Sequence, residues 1–327
     1  MSSGRRRTSP RTGSRPGPSQ FDLVVVGHTN IDHFFRVDRL PATDRTVPLR
    51  DRETRLGGTA GNIARSAARL GVRTALASQV GPDFPVHFRK RLIGDGVDLT
   101  GFETVAGAHS PACFIVESAH GEQVTLIDQG PMEVDRGSRV PTRLLARSGW
   151  VHLATGDPHY QLRVEQEARR LGLRVAADPA QEIHYRWEPA PLRRLLLAAE
   201  LFFANRNELA RVLQLLRLKN VDGLLEIVPL IVETLGPDGA VAWTRAGTVR
   251  VPAGRPRRVR QVTGAGDGFR GGFYAGWFRG LPLRDCLRYG NWAAARWLET
   301  GDPSRLRPRT APNGPPPNLG QFARREL

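Results

Sequence analysis

Apolar positions along this chain fall into two alternating patterns between Phe21 and Glu299. Short continuous apolar runs, of which Phe21–Gly27 (FDLVVVG) is the first, have the length and lack of alternation of strands buried on both faces. Further strands are predicted at Val72–Val80, Trp150–Ala154, Leu173–Asp178, Leu201–Ala204 and Leu230–Thr234. Between them, apolar residues recurring every three to four positions predict amphipathic helices at Thr59–Leu70, Pro85–Ile93, Gln161–Leu171, Pro191–Ala198 and Glu208–Leu216. A hairpin-like pair, Ala240–Thr244 and Thr248–Pro252, precedes two last helices, Asp267–Arg279 and Leu283–Glu299. Strands alternating with helices of this length predict an α/β fold, a three-layer, doubly wound, mostly parallel sheet. Two stretches break the alternation. His33–Val37 with Val47–Thr54, and Ala112–Glu117 with Glu122–Asp128, have the short alternating character of exposed strands. These pieces, near 33–56 and 110–130, are expected to pair as a small β lid over the carboxyl edge of the main sheet, where open α/β sheets bind ligands.

Charge adds a second consideration. The 327 residues carry 48 Lys+Arg against 32 Asp+Glu, a net charge of +16. That balance raises nucleic acid as a partner, but it is unevenly placed. Residues 1–20 hold Arg5, Arg6, Arg7, Arg11 and Arg15 and no acid, among Ser, Gly and Pro. Residues 303–327 hold five arginines, one glutamate and the triplet Pro315–Pro316–Pro317. Neither segment has the apolar content to offset its ordering entropy. A disordered basic tail is therefore expected over 1–20 and a Pro/Arg-rich tail over 303–327, leaving +7 of the +16 to a folded domain over 21–302. Nucleic acid would then be held only nonspecifically, through the tails.

Composition also excludes several chemistries. Lys90 and Lys219 are the only lysines and neither lies in a GxxxxGK[ST] loop, so lysine phosphate cradles and Schiff bases are not expected. Cys113 and Cys286 form no CxxC and are expected to be packing residues in a reducing cytoplasm. The histidines show no HExxH spacing, and no apolar run approaches the ~20 residues of a membrane helix.

Three motifs carry candidate chemistry. In TGAGDGFRGGF, Gly264 and Gly266 make a turn whose backbone N–H groups can approach a ligand, and Asp267 follows at the start of a helix. A helix N-terminus favours an anion, and a carboxylate beside it supplies the base that phosphoryl transfer to a hydroxyl requires. Asp267 as a plain N-cap is the competing reading. In RLGGTAGN, Gly57 and Gly58 allow close approach and Asn62 offers both donor and acceptor, although a bare loop-to-helix junction has the same composition. In GHTNID, Asn30 and Asp32 leave the first strand at its carboxyl end and suit a diol, or serve only as turn residues. A dinucleotide fingerprint fits less well, because its glycines belong after the first strand.

Together, and in this order, the three motifs resemble those of the ribokinase (PfkB) family of carbohydrate and nucleoside kinases. Asn205–Glu208 (NRNE) is similar to the family's NxxE motif, and Thr234–Gly239 (TLGPDG) to its TxGxxG strand end. The resemblance runs from about Phe21 to Gly301 and leaves out both tails. Within the family, VGHT at 26–29, VHLATGDP at 151–158 and ADPAQE at 177–182 most resemble archaeal-type broad-specificity nucleoside kinases.

The resemblance implies a ribokinase-like fold and ATP-dependent phosphorylation of a nucleoside 5′-hydroxyl, with a sugar or sugar-phosphate kinase as the alternative. An inactive, basic nucleic-acid-binding protein on the same scaffold is the alternative of another class. It implies Asp267 as general base, with the N–H groups of Gly264, Ala265 and Gly266 as the anion hole. Asn30, Asp32, Gly58 and Asn62 would hold the sugar, while Asn205 and Glu208 would organise Mg²⁺ and phosphate, Glu208 through water. Thr234, Gly236 and Gly239 would border the nucleotide, and residues 290–295 its adenine. Arg270, on the helix of Asp267, would reach a phosphate or make a structural ion pair. The lid would exclude water and is a candidate homodimer surface. One departure matters: Gln261 stands where the family usually has an acid that helps hold a monovalent cation, so potassium activation is not implied.

Overall fold

The computed structural model describes residues 19–134 and 137–307. Thirteen strands and nine helices alternate through them: β1 (Phe21–Val26), β2 (Asn30–Val37), β3 (Asp51–Gly57), α1 (Thr59–Arg69), β4 (Thr74–Val80), α2 (Val86–Gly94), β5 (Asp98–Thr104), β6 (Ala112–Ser118), β7 (Gln123–Asp128), α3 (Thr142–Leu145), β8 (Ser148–Leu153), α4 (Pro158–Arg170), β9 (Arg174–Ala177), α5 (Pro189–Ala198), β10 (Leu201–Asn205), α6 (Arg206–Leu215), α7 (Val221–Leu225), β11 (Leu230–Thr234), β12 (Ala240–Thr244), β13 (Gly247–Val251), α8 (Ala265–Trp277) and α9 (Leu283–Thr300).

Nine strands form one sheet in the order β13-β12-β11-β10-β9-β8-β1-β4-β5, parallel from β11 to β5, with β12 and β13 added antiparallel at one edge. The continuous apolar run of β1 explains its central place, since both of its faces are covered. Leu23 and Val25 enter a core with α1, α2, α8 and α9, while Val24 and Val26 enter a second core with α3 to α7. This is the three-layer arrangement that the alternation predicts. Strand β5 was not expected; it is a half-exposed edge with little apolar character to reveal it.

The remaining four strands form a separate sheet, β3-β2-β6-β7, in which β2 and β6 run parallel. The two pieces that interrupt the alternation in sequence are thus one lid. Only residues 27–29 separate β1 from β2, and only Gly58 separates β3 from α1. Two of the three motifs therefore lie at the roots of the lid.

Glycines in α8 set how closely its neighbours approach. A Cβ on Gly271 would stand 2.3 Å from Ser66 Cβ of α1, and one on Gly272 would stand 2.6 Å from Ala293 Cβ of α9. GFRGG is therefore also a packing motif that presses α8 between two helices. Gly276 likewise meets Cys286, which is fully buried as expected.

The folded chain extends past the expected boundary at 302. Residues Pro303–Arg305 form a 3₁₀ turn capped by Asp302, and Pro303 and Leu306 are buried. Asp302 pairs with Arg65 at 2.8 Å and also with Arg91, tying this segment to α1 and α2. The parts of the expected tails at 1–18 and 308–327 lie outside the described residues. Among the described residues no helix is long and apolar enough to cross a membrane.

Candidate active site

The site is built where the ends of β1 and β3 meet the start of α8. Helix α8 begins at Ala265 with Gly264 as its N-cap in the left-handed conformation, φ 87°. Asp267 is therefore at the third helical position and does not cap, which removes the competing reading. Its carboxylate instead accepts from Asn62 Nδ2 at 3.0 Å. That bond joins the RLGGTAGN and TGAGDG motifs across the cleft.

Asn30, Asp32 and Asn62 are nearly buried, at 9%, 8% and 6% exposure. A Cβ on Gly57 would lie 1.9 Å from Asp32 Oδ2, so the carboxylate lies directly over that glycine. Gly58, at φ 86°, has room for no side chain, because His28 O would be 2.5 Å away. Asn30 Oδ1, Asp32 Oδ1 and Asn62 Oδ1 have no partner. Buried polar atoms are seldom left so, and a row of them in one cleft suits a polyhydroxylated ligand. Burial pushes both Asp32 and Asp267 up to about 7, opposed at Asp267 by Arg270 and by the Asn62 hydrogen bond.

The three N–H groups of the expected anion hole differ in their partners within the turn. Ala265 N–H donates to Val262 O at 3.2 Å and is engaged in the turn. Gly264 and Gly266 N–H make no hydrogen bond within the described residues and remain at the helix N-terminus. The turn is held from beneath by Trp297 of α9. Its Nε1–H donates to Thr263 O at 2.8 Å, and its ring stands 2.4 Å from where a Cβ on Gly264 would be.

Arg270 makes a structural ion pair. Its guanidinium binds both oxygens of Asp178, with Nη2 to Oδ1 at 2.7 Å, and the pair is buried. Asp178 also faces His152 Nε2 at 3.2 Å, and His152 Nδ1 meets Tyr274 Oη at 2.8 Å. This polar chain anchors α8 to β8 and β9 below the cleft and leaves His152 out of it.

Asn205 and Glu208 form a capping box at the start of α6: Asn205 Oδ1 accepts from Glu208 N, and Glu208 Oε2 accepts from Asn205 N. Glu208 keeps one oxygen outside that box, next to the charges of Arg270 and Asp178. Thr234 pairs with Asn205 in register across β10 and β11. Gly236 and Gly239 follow with φ of 59° and 95°, and a Cβ on Gly239 would strike Val251 O at 2.1 Å. Beyond them a cavity of about 270 Å³ opens between Pro252–Arg255 and α9 residues Asn291, Trp292 and Ala295. The structure thus places the expected adenine stretch on a cavity wall.

Three neighbours were missed in sequence. Cys113, expected to be packing, pairs in register with Asp32 and accepts from Asn30 Nδ2 at 3.2 Å. Arg55 stacks 4.7 Å over Phe34 and donates to Gln261 Oε1 at 2.8 Å, so the residue that departs from the family acid is held by a guanidinium. Trp297 is the third, with the carbonyl contact given above. Only the register of the lid and the crossing of α8 and α9 bring these side chains to the site, and neither is written in local spacing.

The sequence profile of the pfkB family carbohydrate kinases matches residues 20–306. The chain belongs to that family. It is 31% identical to a nucleoside kinase of Methanothermobacter thermautotrophicus over 85% of this chain and 89% of that one. It is 30% identical to an ATP-dependent ribose-1-phosphate kinase of Halopiger xanaduensis, over 82% and 89%. Its fold matches the crystal structure of the Methanocaldococcus jannaschii nucleoside kinase with a TM-score of 0.82 at 26% identity, covering 89% of this chain and 96% of that one. As a member of the PfkB family the chain is an ATP-dependent kinase of nucleosides or sugars, with the ribokinase-like fold.

Proposed function

We propose that this PfkB kinase transfers the γ-phosphoryl group of ATP to the 5′-hydroxyl of a nucleoside. The observation that carries the proposal is the Asn62–Asp267 hydrogen bond, which sets a carboxylate between the row of unpartnered sugar-side oxygens and the glycine turn. Asp267 takes the hydroxyl proton as the oxygen attacks the γ-phosphorus, and ADP leaves. A carboxylate raised to about 7 is well matched to that task near neutral pH. Gly264 and Gly266 N–H, at the positive end of α8, receive the phosphoryl oxygens. Asn30, Asp32, Gly58 and Asn62 hold the ribose, and Thr234, Gly236 and Gly239 border the nucleotide. Glu208 fits a Mg²⁺ partner acting through water: its second oxygen is outside the capping box, and no group of three or more His, Cys, Asp or Glu among the described residues forms a metal cage. The ion neutralises phosphate charge when bound.

Nucleoside specificity is supported by the nucleoside kinases among the relatives. A sugar-phosphate substrate is the second reading, favoured by the ribose-1-phosphate kinase at similar identity. Purified protein with Mg·ATP should release ADP faster with inosine, guanosine or cytidine than with ribose, ribose 1-phosphate or fructose 6-phosphate. Silence with every nucleoside overturns the proposal.

A further inference from the structure

The two cysteines have different surroundings. Cys286 is fully buried where α9 meets Gly276 of α8, and its thiol donates to Leu281 O at 3.3 Å. Cys113 is only partly buried and lies in the lid, on β6. Along β2, Asn30, Asp32 and Phe34 occupy alternate positions and so share one face of the lid sheet. Asp32 and Phe34 line a small cavity whose other walls include Asn62, Thr263 and Trp297. This face is therefore the one turned to the glycine turn. Strands β2 and β6 pair in parallel with Asp32 opposite Cys113, which puts Sγ on the same face. There it meets two of the expected sugar residues. Asn30 Nδ2 donates to Sγ at 3.2 Å, and the thiol makes a side-chain hydrogen bond with Asp32.

We propose that Cys113 is a positioning residue for the acceptor substrate: its thiol donates to Asp32, accepts from Asn30, and thereby sets Asn30 to receive a sugar hydroxyl through Oδ1. This rests on the reading above that Asn30 and Asp32 hold the ribose of a nucleoside. The direction of the two bonds follows from the number of hydrogens. Burial, followed by the nearby Asp32 charge, pushes the thiol up to about 12, so it stays protonated, and an ionised Asp32 can only accept from it. With its one hydrogen given to Asp32, the sulfur meets Asn30 as an acceptor, and the Asn30 amide turns Nδ2 towards it. Asn30 Oδ1 is then the end left over. It has no partner, although Asn30 is only 9% exposed, and Asp32 Oδ1 is in the same state. Both are acceptors that a hydroxyl satisfies. Without the sulfur, either end of the Asn30 amide fits against the lid, and the half that meets the ligand is no longer fixed.

Steady-state kinetics well above pH 7, where Asp32 is ionised, test this with two variants of the full chain. Cys113→Ala removes both bonds to the sulfur. Its KM for inosine should rise by about 5- to 10-fold, the worth of one hydrogen bond, while kcat and the KM for Mg·ATP change little. Cys113→Ser has a hydroxyl that both donates and accepts, and it should recover most of that loss. A KM for inosine unchanged in Cys113→Ala overturns the proposal. So does a Cys113→Ser protein as impaired as Cys113→Ala, which makes the sulfur a packing group. The rise in melting temperature on adding ADP reads the fold separately and should match the wild type in both variants; its loss in Cys113→Ala makes the residue structural and also overturns the proposal. Turnover of ribose 1-phosphate with none of any nucleoside is a different result. It overturns the nucleoside reading, and the same KM comparison with ribose 1-phosphate then decides the role of Cys113.

Discussion

At the scale of single residues, the site is built from carboxylates held against their preference. Asp267 titrates near 7 because burial outweighs Arg270 and Asn62. Its base form therefore grows in as pH rises through that value, and kcat should rise with pH across the same interval and flatten above it. The same shift has a stability cost. Between its ordinary value of 3.8 and about 7, the folded state holds a proton that the unfolded state has released, so the contribution of Asp267 to stability declines as pH rises through that window. Asp267→Asn removes the buried charge, and above pH 7 it should raise stability by about 1–2 kcal/mol, measured as the urea midpoint of the unliganded protein. A variant no more stable than wild type shows that the carboxylate is not strained by its surroundings. Asp267 was legible in sequence because glycines, turn and helix are contiguous around it. Cys113 was not, since it reaches Asp32 only through the register of the lid.

At the scale of elements, the helices explain why the glycines of TGAGDGFRGGF are so dense. Gly264 and Gly266 form the turn that opens α8, whereas Gly271 and Gly272 let α1 and α9 close on α8. The periodic pattern located these helices to within a few residues, because each buries one continuous apolar stripe. It could not show that Trp297 of α9, which looks like core in sequence, supports Thr263 and Gly264. Trp297→Phe keeps most of the ring and loses the hydrogen bond to Thr263 O. It should cost about 1 kcal/mol of stability and lower kcat more than the KM for nucleoside. A kcat equal to wild type makes Trp297 a packing residue alone. The lid illustrates the complementary case. Its strands were legible one by one from alternation, but the parallel pairing of β2 with β6 joins segments far apart in sequence and has no local signal.

At the scale of the whole molecule, the net charge of +16 suggests polyanion binding until it is divided between the folded part and the ends. Within the described fold, some arginines are spent on buried pairs, as Arg65 with Asp95 and Arg270 with Asp178 show. Full-length protein should therefore be retained on RNA in low salt and released steeply as salt rises, while residues 19–307 should show little retention and keep their kinase activity. Equal retention of both would place a nucleic-acid surface on the kinase fold. Steady-state ADP release with a saturating nucleoside reads out the role of the carboxylate at the glycine turn. Asp267→Asn should lower kcat by at least ~10²-fold, the usual range for loss of a general base, with KM little changed; turnover near that of the wild type would show that Asp267 is not the base.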